Sequence, residues 1–256
     1  MKILAITQAR YGSTRLPAKI LKEVNGMTLL EIHLRRILRS RLISKLKVAT
    51  TNEGGAKYII EIANKLGVEC YQGAVDDVLE RFYKTAEPDA PDYVVRLTSD
   101  CPLVNPALID NIILKCIESG CDYVSNTLAL TFPDGVDTEV FKFSALKKAY
   151  EEAKLKSERE HVTPYIWNNS SFKGGKLFTS DNYYNTQDLS AERITVDTPE
   201  DFELIRIIIN RLGIECPYME YIKFLDQEKD IRNINQCFTR NEGYIKSIKN
   251  DAKFNK

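Results

Sequence analysis

Three polar clusters carry the residue types that could do chemistry. The first runs from Arg10 to Lys19 and holds three cations (Arg10, Arg15, Lys19), one glycine (Gly12) and two adjacent hydroxyls (Ser13, Thr14) in ten residues. Glycine lets a backbone approach a ligand closely, hydroxyls and amides donate hydrogen bonds, and cations offset phosphate charge. The cluster therefore suits a polyphosphate. It is not a Walker loop: six residues separate Gly12 from Lys19, no glycine precedes the lysine, and Pro17 interrupts. The plainer alternative is a solvated basic loop. The second cluster is Ser99-Asp100-Cys101-Pro102-Leu103, and the third is centred on Asp197. Asp100 and Asp197 are candidates to share a hard cation. Magnesium fits, because it takes one or two carboxylates together with substrate phosphates and keeps several waters. For Asp197 the competing reading is a capping role at the helix it precedes.

The elements that must position these clusters alternate between strand and helix. Lys2 to Thr7, Leu46 to Thr50, Val68 to Tyr71, Tyr93 to Leu97 and Tyr123 to Ser125 read as short apolar strands. Between them, helices are expected over Met27 to Leu38, Ala56 to Leu66, Asp77 to Ala86 and from Asn105-Pro106 to about Glu118. Alternation with unpatterned apolar strands predicts an α/β fold with a mostly parallel sheet flanked by helices. In such a sheet ligands sit beyond the carboxyl ends of the strands. The first two clusters follow the first and fourth strands directly. A further strand over Arg193 to Val196 would put Asp197 in the same kind of place. Thr198-Pro199-Glu200-Asp201 then reads as a capping box opening a helix to Leu212.

From about 126 to 190 the pattern becomes an inserted α+β segment. Strands are expected at Thr138 to Phe143 and Lys176 to Thr179, and helices at Ser144 to Lys154 and Glu158 to Trp167. Residues 215–256 read as a helical extension, so the 256 residues make one domain with an insertion. His33 and the arginines 35, 36, 39 and 41 are expected on a solvated helix face. The six cysteines are expected to be reduced and mostly buried. No stretch is apolar enough for a signal peptide or a membrane span, which predicts a cytoplasmic protein with no membrane partner.

Thirty-six Lys+Arg balance thirty-six Asp+Glu, and a neutral chain argues against a nucleic-acid partner. The balance is an average. Residues 1–50 hold eleven cations against two acids, so they carry +9 and the remainder −9.

Arg10 to Lys19, Ser99 to Leu103 and Val196 to Asp201 together resemble the motif set of the cytidylyltransferases that make CMP-activated sugar acids. The branch that the chain resembles is the spore-coat polysaccharide cytidylyltransferase-like family, related to the 3-deoxy-manno-octulosonate (Kdo) and acylneuraminate enzymes. Asp76 to Phe82, Thr131 to Asp137, Glu158 to Thr163 and Asn241 to Tyr244 fit the same branch. The resemblance runs from end to end. It departs from the Kdo pattern at Thr98-Ser99-Asp100-Cys101-Pro102-Leu103, where those enzymes have Gln-Gly-Asp-Glu-Pro-Leu.

The resemblance implies a Rossmann-like nucleotidyltransferase that joins CTP, as co-substrate, to a sugar and releases pyrophosphate. By that analogy Arg10, Ser13, Arg15 and Lys19 hold the triphosphate, with Ala9, Gly12 and Ser99 lining its site. Lys19 and Arg10 act catalytically on the leaving group, and Asp100 and Asp197 ligate Mg²⁺. Asp77 to Arg81 border the cytosine. Asp137, Glu139, Arg159 and His161 face the acceptor sugar, and a homodimer is expected. Two alternatives stay open: a nucleotidyltransferase using another NTP with a sugar phosphate, and a nucleotide-binding protein without catalysis. A metal-dependent glycosyltransferase would usually carry Asp-x-Asp, and no two aspartates here are separated by a single residue.

Overall fold

The computed structural model describes residues 1–13 and 15–254; Thr14 of the first cluster lies outside them. The chain begins with β1 (Ile3–Gln8), a small antiparallel hairpin β2 (Glu23–Val24) and β3 (Met27–Thr28), and helix α1 (Leu29–Ile37). Then come β4 (Lys45–Thr51), α2 (Ala56–Lys65), β5 (Glu69–Gly73), α3 (Val78–Ala86), β6 (Tyr93–Thr98), α4 (Pro106–Ser119) and β7 (Tyr123–Ser125). The second half holds β8 (Glu139–Lys142), α5 (Phe143–Glu152), α6 (Lys156–His161), α7 (Pro164–Asn168), β9 (Ser180–Asn182) and α8 (Pro199–Leu212). Helices α9 (Tyr218–Gln227), α10 (Lys229–Arg232) and α11 (Glu242–Phe254) close the described chain.

Seven strands form one sheet in the order β5-β4-β1-β6-β8-β7-β9. The pairs β5-β4, β4-β1 and β1-β6 are parallel, β8 runs antiparallel to both neighbours, and β9 is parallel to β7. The expected α/β class holds. From β1 the chain moves outward to β4 and β5, whereas β6 lies on the opposite side of β1. The carboxyl ends of β1 and β6 therefore flank the switch in strand order, where an open sheet leaves a crevice. Apolar side chains from α1, α2, α4, α8 and α9 fill one face of the sheet. Those of α3, α5 and α7 fill the other, which explains why the central strands are apolar on both sides.

Several expectations are corrected. Arg193 to Val196 is not a strand of the sheet; it is extended chain with one bridge, between Asp134 and Arg193. Backbone pairing to the 134 and 100 loops satisfies it instead (Ile194 N to Asp134 O 2.7 Å, Val196 N to Asp100 O 2.7 Å). The strand expected at Lys176 to Thr179 is displaced to Ser180–Asn182. The helix expected over Glu158 to Trp167 splits into two, because Val162 turns to φ 72 and Pro164 starts a new first turn. Met27 and Thr28 belong to the hairpin, and Thr28 caps α1 through a hydrogen bond from Glu31 N.

His33 and Arg36 are buried rather than solvated, because both are satisfied by internal polar atoms described below. The cysteines are free, as expected, yet Cys237 is exposed and Cys70, Cys121 and Cys216 are only half-buried. Among the described residues no helix is long and apolar enough to cross a membrane.

Candidate active site

The loop after β1 turns back on itself before reaching Lys19. Ala9 is buried, and its amide donates to Ala49 O, prolonging the β1-β4 ladder by one residue. Arg10, Tyr11 and Gly12 are exposed and Ser13 is half-buried. Tyr11 lies across Gly55 so closely that a Cβ there would meet its ring at 2.1 Å; only glycine permits this seat. Leu16 and Ile20 are buried anchors on either side of Lys19, and Lys19 N donates to Leu16 O at 3.1 Å. Ala18, just before Lys19, adopts the left-handed conformation (φ 51). The anchors and this turn direct the lysine side chain into the crevice.

There Lys19 Nζ meets both candidate metal ligands. It lies 2.8 Å from Asp197 Oδ1 and 3.5 Å from Asp100 Oδ2, and donates to Val196 O at 2.8 Å. Burial works against its charge, yet Asp100 and Asp197 overcome that and raise its pKa. For Asp100, burial favours the neutral acid; Lys19 and the Thr98 hydroxyl prevail and hold the carboxyl below its usual range. Asp197 does not cap α8. Thr198 Oγ1 accepts from Asp201 N, while Asp201 Oδ2 accepts from the amides of Asp197 and Thr198. The expected capping box is present, and it leaves the Asp197 side chain to Lys19, Arg15 (2.9 Å) and Arg193 (3.5 Å). Arg193 is fixed from behind by both oxygens of Asp201, each at 2.8 Å.

Asp100 and Asp197 are also joined through the main chain. The carbonyl of Asp100 accepts from Val196 N at 2.7 Å and from Thr195 Oγ1 at 2.9 Å. Among the described residues no group of three His, Cys, Asp or Glu side chains forms a closed metal cage. What converges is two carboxylates on one point already attractive to a cation, which Lys19 Nζ marks. That donor set fits a magnesium ion completed by phosphates and water, and does not fit a metal held by protein alone.

A second acidic pair adjoins the first. Asp134 pairs with Arg193 at 2.6 Å, and Asp137 pairs with Arg240 at 2.5 Å. Burial, then the neighbouring Asp137, push the Asp134 carboxyl up to about 7; burial also raises Asp137. Glu139 opens β8, where it accepts from Arg96 and from Tyr123 Oη (2.8 Å). His161, at the end of α6, places Nε2 3.1 Å from Ser247 Oγ and meets the edge of the Tyr244 ring. Burial and then Arg96 lower its pKa.

On the β5 side, Asp77 caps α3, accepting from Glu80 N at 2.9 Å, and also takes both Nε and Nη2 of Arg159. Arg81 is almost wholly buried beside Gly73 and donates to Ala74 O at 2.6 Å. Burial, then the charge of Arg10, lower its pKa to about 10. Ser99 is buried, with its amide on Gln8 O.

The geometry therefore unites Arg15, Lys19, Asp100 and Asp197, and it pairs Asp77 with Arg159. Asp137, Glu139 and His161 lie along the adjoining wall, each on its own partner. Sequence reasoning missed Arg96, Asp134, Arg193, Arg240 and His33. Arg96 was detectable as a cation inside an apolar strand, and Asp134 lay in a noted motif without a role. Nothing in the spacing marks Arg240, whose partners Asp134 and Asp137 are distant in the chain, and Arg193 was missed although Asp197 and Asp201 follow it within eight residues.

Comparisons with known proteins give this geometry its context. A cytidylyltransferase family profile matches residues 4–236. The chain belongs to the cytidylyltransferase family. It is thus a member of a nucleotidyltransferase enzyme family, as the motifs implied. The spore coat polysaccharide biosynthesis protein SpsF of Bacillus subtilis is 32% identical over 216 residues, spanning 82% of this chain and 88% of SpsF. An uncharacterized protein of Methanocaldococcus jannaschii is 37% identical over 236 residues, covering 92% of this chain and 95% of its own.

Among solved structures, a cytidylyltransferase from Leptospira borgpetersenii superposes with a TM-score of 0.86 at 32% identity, covering 94% of this chain and all of that one. A CMP:2-keto-3-deoxy-manno-octonic acid synthetase complexed with CTP shares the fold at 14% identity and a TM-score of 0.61, over 82% of this chain and 99% of its own. The Kdo cytidylyltransferase of Geobacter metallireducens is 34% identical, over 46% of this chain and 45% of its own.

Proposed function

We propose that this cytidylyltransferase joins CTP to a hydroxyl of a keto-sugar acid, giving a CMP-sugar and pyrophosphate for surface polysaccharide synthesis. The observation that carries the reading is the Lys19 ammonium held between Asp100 and Asp197, at the crevice beside β1 and β6. The name of the Kdo enzyme supports the acceptor class, and that of SpsF supports the polysaccharide context.

In the reaction the acceptor oxygen attacks the α-phosphorus, the bond from that phosphorus to the bridging oxygen of pyrophosphate breaks in line, and the acceptor proton passes to solvent water. Such chemistry asks for positioning and charge stabilisation more than covalent help. Lys19 and Arg10 stabilise the charge that builds on pyrophosphate. Arg15 and Ser13 orient the triphosphate, and Ala9 and Gly12 after β1 and Ser99 after β6 line its approach to the sheet. Asp100 and Asp197 would hold Mg²⁺, which supplies Lewis-acid stabilisation of phosphate oxygens. Asp77 and Arg81 border the cytosine. Asp137, Glu139, Arg159 and His161 face the sugar from the segment 126–190. The working unit is a cytoplasmic homodimer, a point that light scattering and fractionation test directly.

Pyrophosphate release with each of the four NTPs, against a panel of keto-sugar acids and sugar 1-phosphates, tests the whole reading. Release only with CTP and a keto-sugar acid is the expected outcome. Release with another NTP and a sugar 1-phosphate overturns the substrate reading, and CTP binding without release under every condition overturns catalysis.

A further inference from the structure

Helix α1 buries Leu29, Leu30, Ile32, Leu34 and Ile37, and with them three polar residues, Glu31, His33 and Arg36, of which His33 and Arg36 are the most deeply buried at 0% and 1% exposed. Three positions apart, these two share one face of the helix. Both reach the loop that carries Asp100. His33 Nδ1 lies 2.8 Å from Cys101 O, and Arg36 Nε donates to Val104 O at 2.7 Å. The other ring nitrogen of His33, Nε2, lies 2.8 Å from Thr7 Oγ1 on β1.

A carbonyl can only accept, so Nδ1 must carry the proton. In the neutral ring Nε2 then accepts from the Thr7 hydroxyl, and the tautomer is fixed from both ends. Packing alone would place a leucine here, since a buried polar ring is tolerated only when its hydrogen bonds are made.

The grip on this loop has a counterpart. The carbonyl of Asp100 is held by Thr195 and Val196, in the segment that ends at Asp197. The next carbonyl, of Cys101, is held by His33. Two consecutive carbonyls are thus fixed by different elements, with the Asp100 side chain beside them.

We propose that His33 is a positioning residue: its Nδ1–H holds the Cys101 carbonyl so that Asp100 stays turned toward Asp197 and the two carboxylates converge on one cation. The inference rests on the magnesium reading of Asp100 and Asp197 and extends it to a residue that touches neither substrate nor metal. Outer-shell hydrogen bonds of this kind commonly change metal affinity by about 10–100-fold.

The test compares His33→Leu, His33→Asn and His33→Gln in the full-length protein. An asparagine can place its amide nitrogen near the Nδ1 position and keep the bond to Cys101 O. Glutamine reaches instead toward Thr7. The readouts are Mn²⁺ binding by calorimetry in the presence of CTP without acceptor, the Mg²⁺ activation constant, kcat, KM for CTP and Tm.

For His33→Leu we expect metal binding weakened about tenfold and kcat lowered about tenfold, with KM for CTP changed less than about threefold. His33→Asn should recover most of the metal affinity and His33→Gln should not. Should His33→Leu fail to fold, the contrast between asparagine and glutamine still decides. Equal metal affinity in those two, or wild-type affinity in all folded variants despite a lower Tm, reduces His33 to a core residue and overturns the inference. Asp100→Asn is measured alongside. If it binds Mn²⁺ as the wild type does, the magnesium reading itself fails, whatever the His33 variants show.

Discussion

Two aspartate pairs line adjoining parts of one crevice, each closed on a cation, and their surroundings drive them in opposite directions. Asp100 and Asp197 meet Lys19, while Arg15 and Arg193 stand against Asp197 as well. Asp134 and Asp137 both meet Arg240, and Asp134 alone also pairs with Arg193. Burial favours the neutral acid at Asp100 and at both members of the second pair. In the first, Lys19 and the Thr98 hydroxyl win and Asp100 stays ionised. In the second, burial and the neighbouring acid win and both carboxyls rise, Asp134 to about 7. The composition of a cluster does not set its charge. What decides is whether hydrogen bonds reach the carboxylate beside its cation, as at Asp100, and how close the next acid lies, as at Asp134. At neutral pH the first pair is ready to hold a divalent cation, and the second keeps part of its protons.

The largest effect should come from removing the cation that defines the first pair. Lys19→Ala is expected to cut turnover at least about a hundredfold, equivalent to about 2.7 kcal/mol of barrier, with an unchanged circular dichroism spectrum. Near-normal turnover would take Lys19 out of the mechanism. Next, Asp197→Asn should lose activity and magnesium dependence together; an unaltered magnesium titration curve would refute its role as a ligand.

The second pair is tested by pH. Because the folded pKa of Asp134 is raised from 3.8 to about 7, the folded protein binds more protons than the unfolded chain between those values. Its stabilising contribution is complete below about 3.8 and is lost as pH rises through about 7. His33, held down to about 4 by burial, slopes the other way between about 4 and 6.5, so the difference between proteins is the quantity to read. Tm measured against pH should fall less steeply from pH 5 to 8 in Asp134→Asn than in the wild type. Parallel curves would mean that Asp134 titrates alike in both states.

The smallest effect is expected where the first pair reaches the surface. Glu242 accepts from Arg15 at 3.1 Å, and under the proposed function it would compete with phosphate for that guanidinium. Exposed pairs are worth about 0.2–1 kcal/mol, so Glu242→Gln should lower KM for CTP by about twofold and leave kcat alone. An increased KM would show instead that Glu242 holds Arg15 in its working position.

Local patterns were legible where neighbours in sequence are neighbours in space. The Asn105-Pro106 start of α4, the Thr198 capping box and the strands ending at Gln8 and Thr98 all follow from adjacent residues. The Arg10 to Lys19 cluster was readable for the same reason. Arg193 to Val196 has the composition of a strand, but its partners are loop carbonyls supplied from 60 and 96 residues away, which no periodicity records. His33 and Arg36 look like surface residues of a basic helix because their acceptors are main-chain carbonyls, which have no residue type to read. The charges matched across the site, Asp137 with Arg240 and Arg15 with Glu242, join the N-terminal and middle parts of the chain to the start of its last helix.

The buried Arg36 also constrains how the protein can be born. Its guanidinium donates to the carbonyls of Ile214 and Cys216, 178 and 180 residues further along. On the ribosome α1 is therefore complete long before those acceptors exist, and a buried guanidinium without them is strongly disfavoured. The end of the molecule that carries Lys19 is made first and locked last. A chain stopped at residue 200 should leave the amides of α1 open to hydrogen exchange, and their protection should appear only when synthesis has passed Cys216.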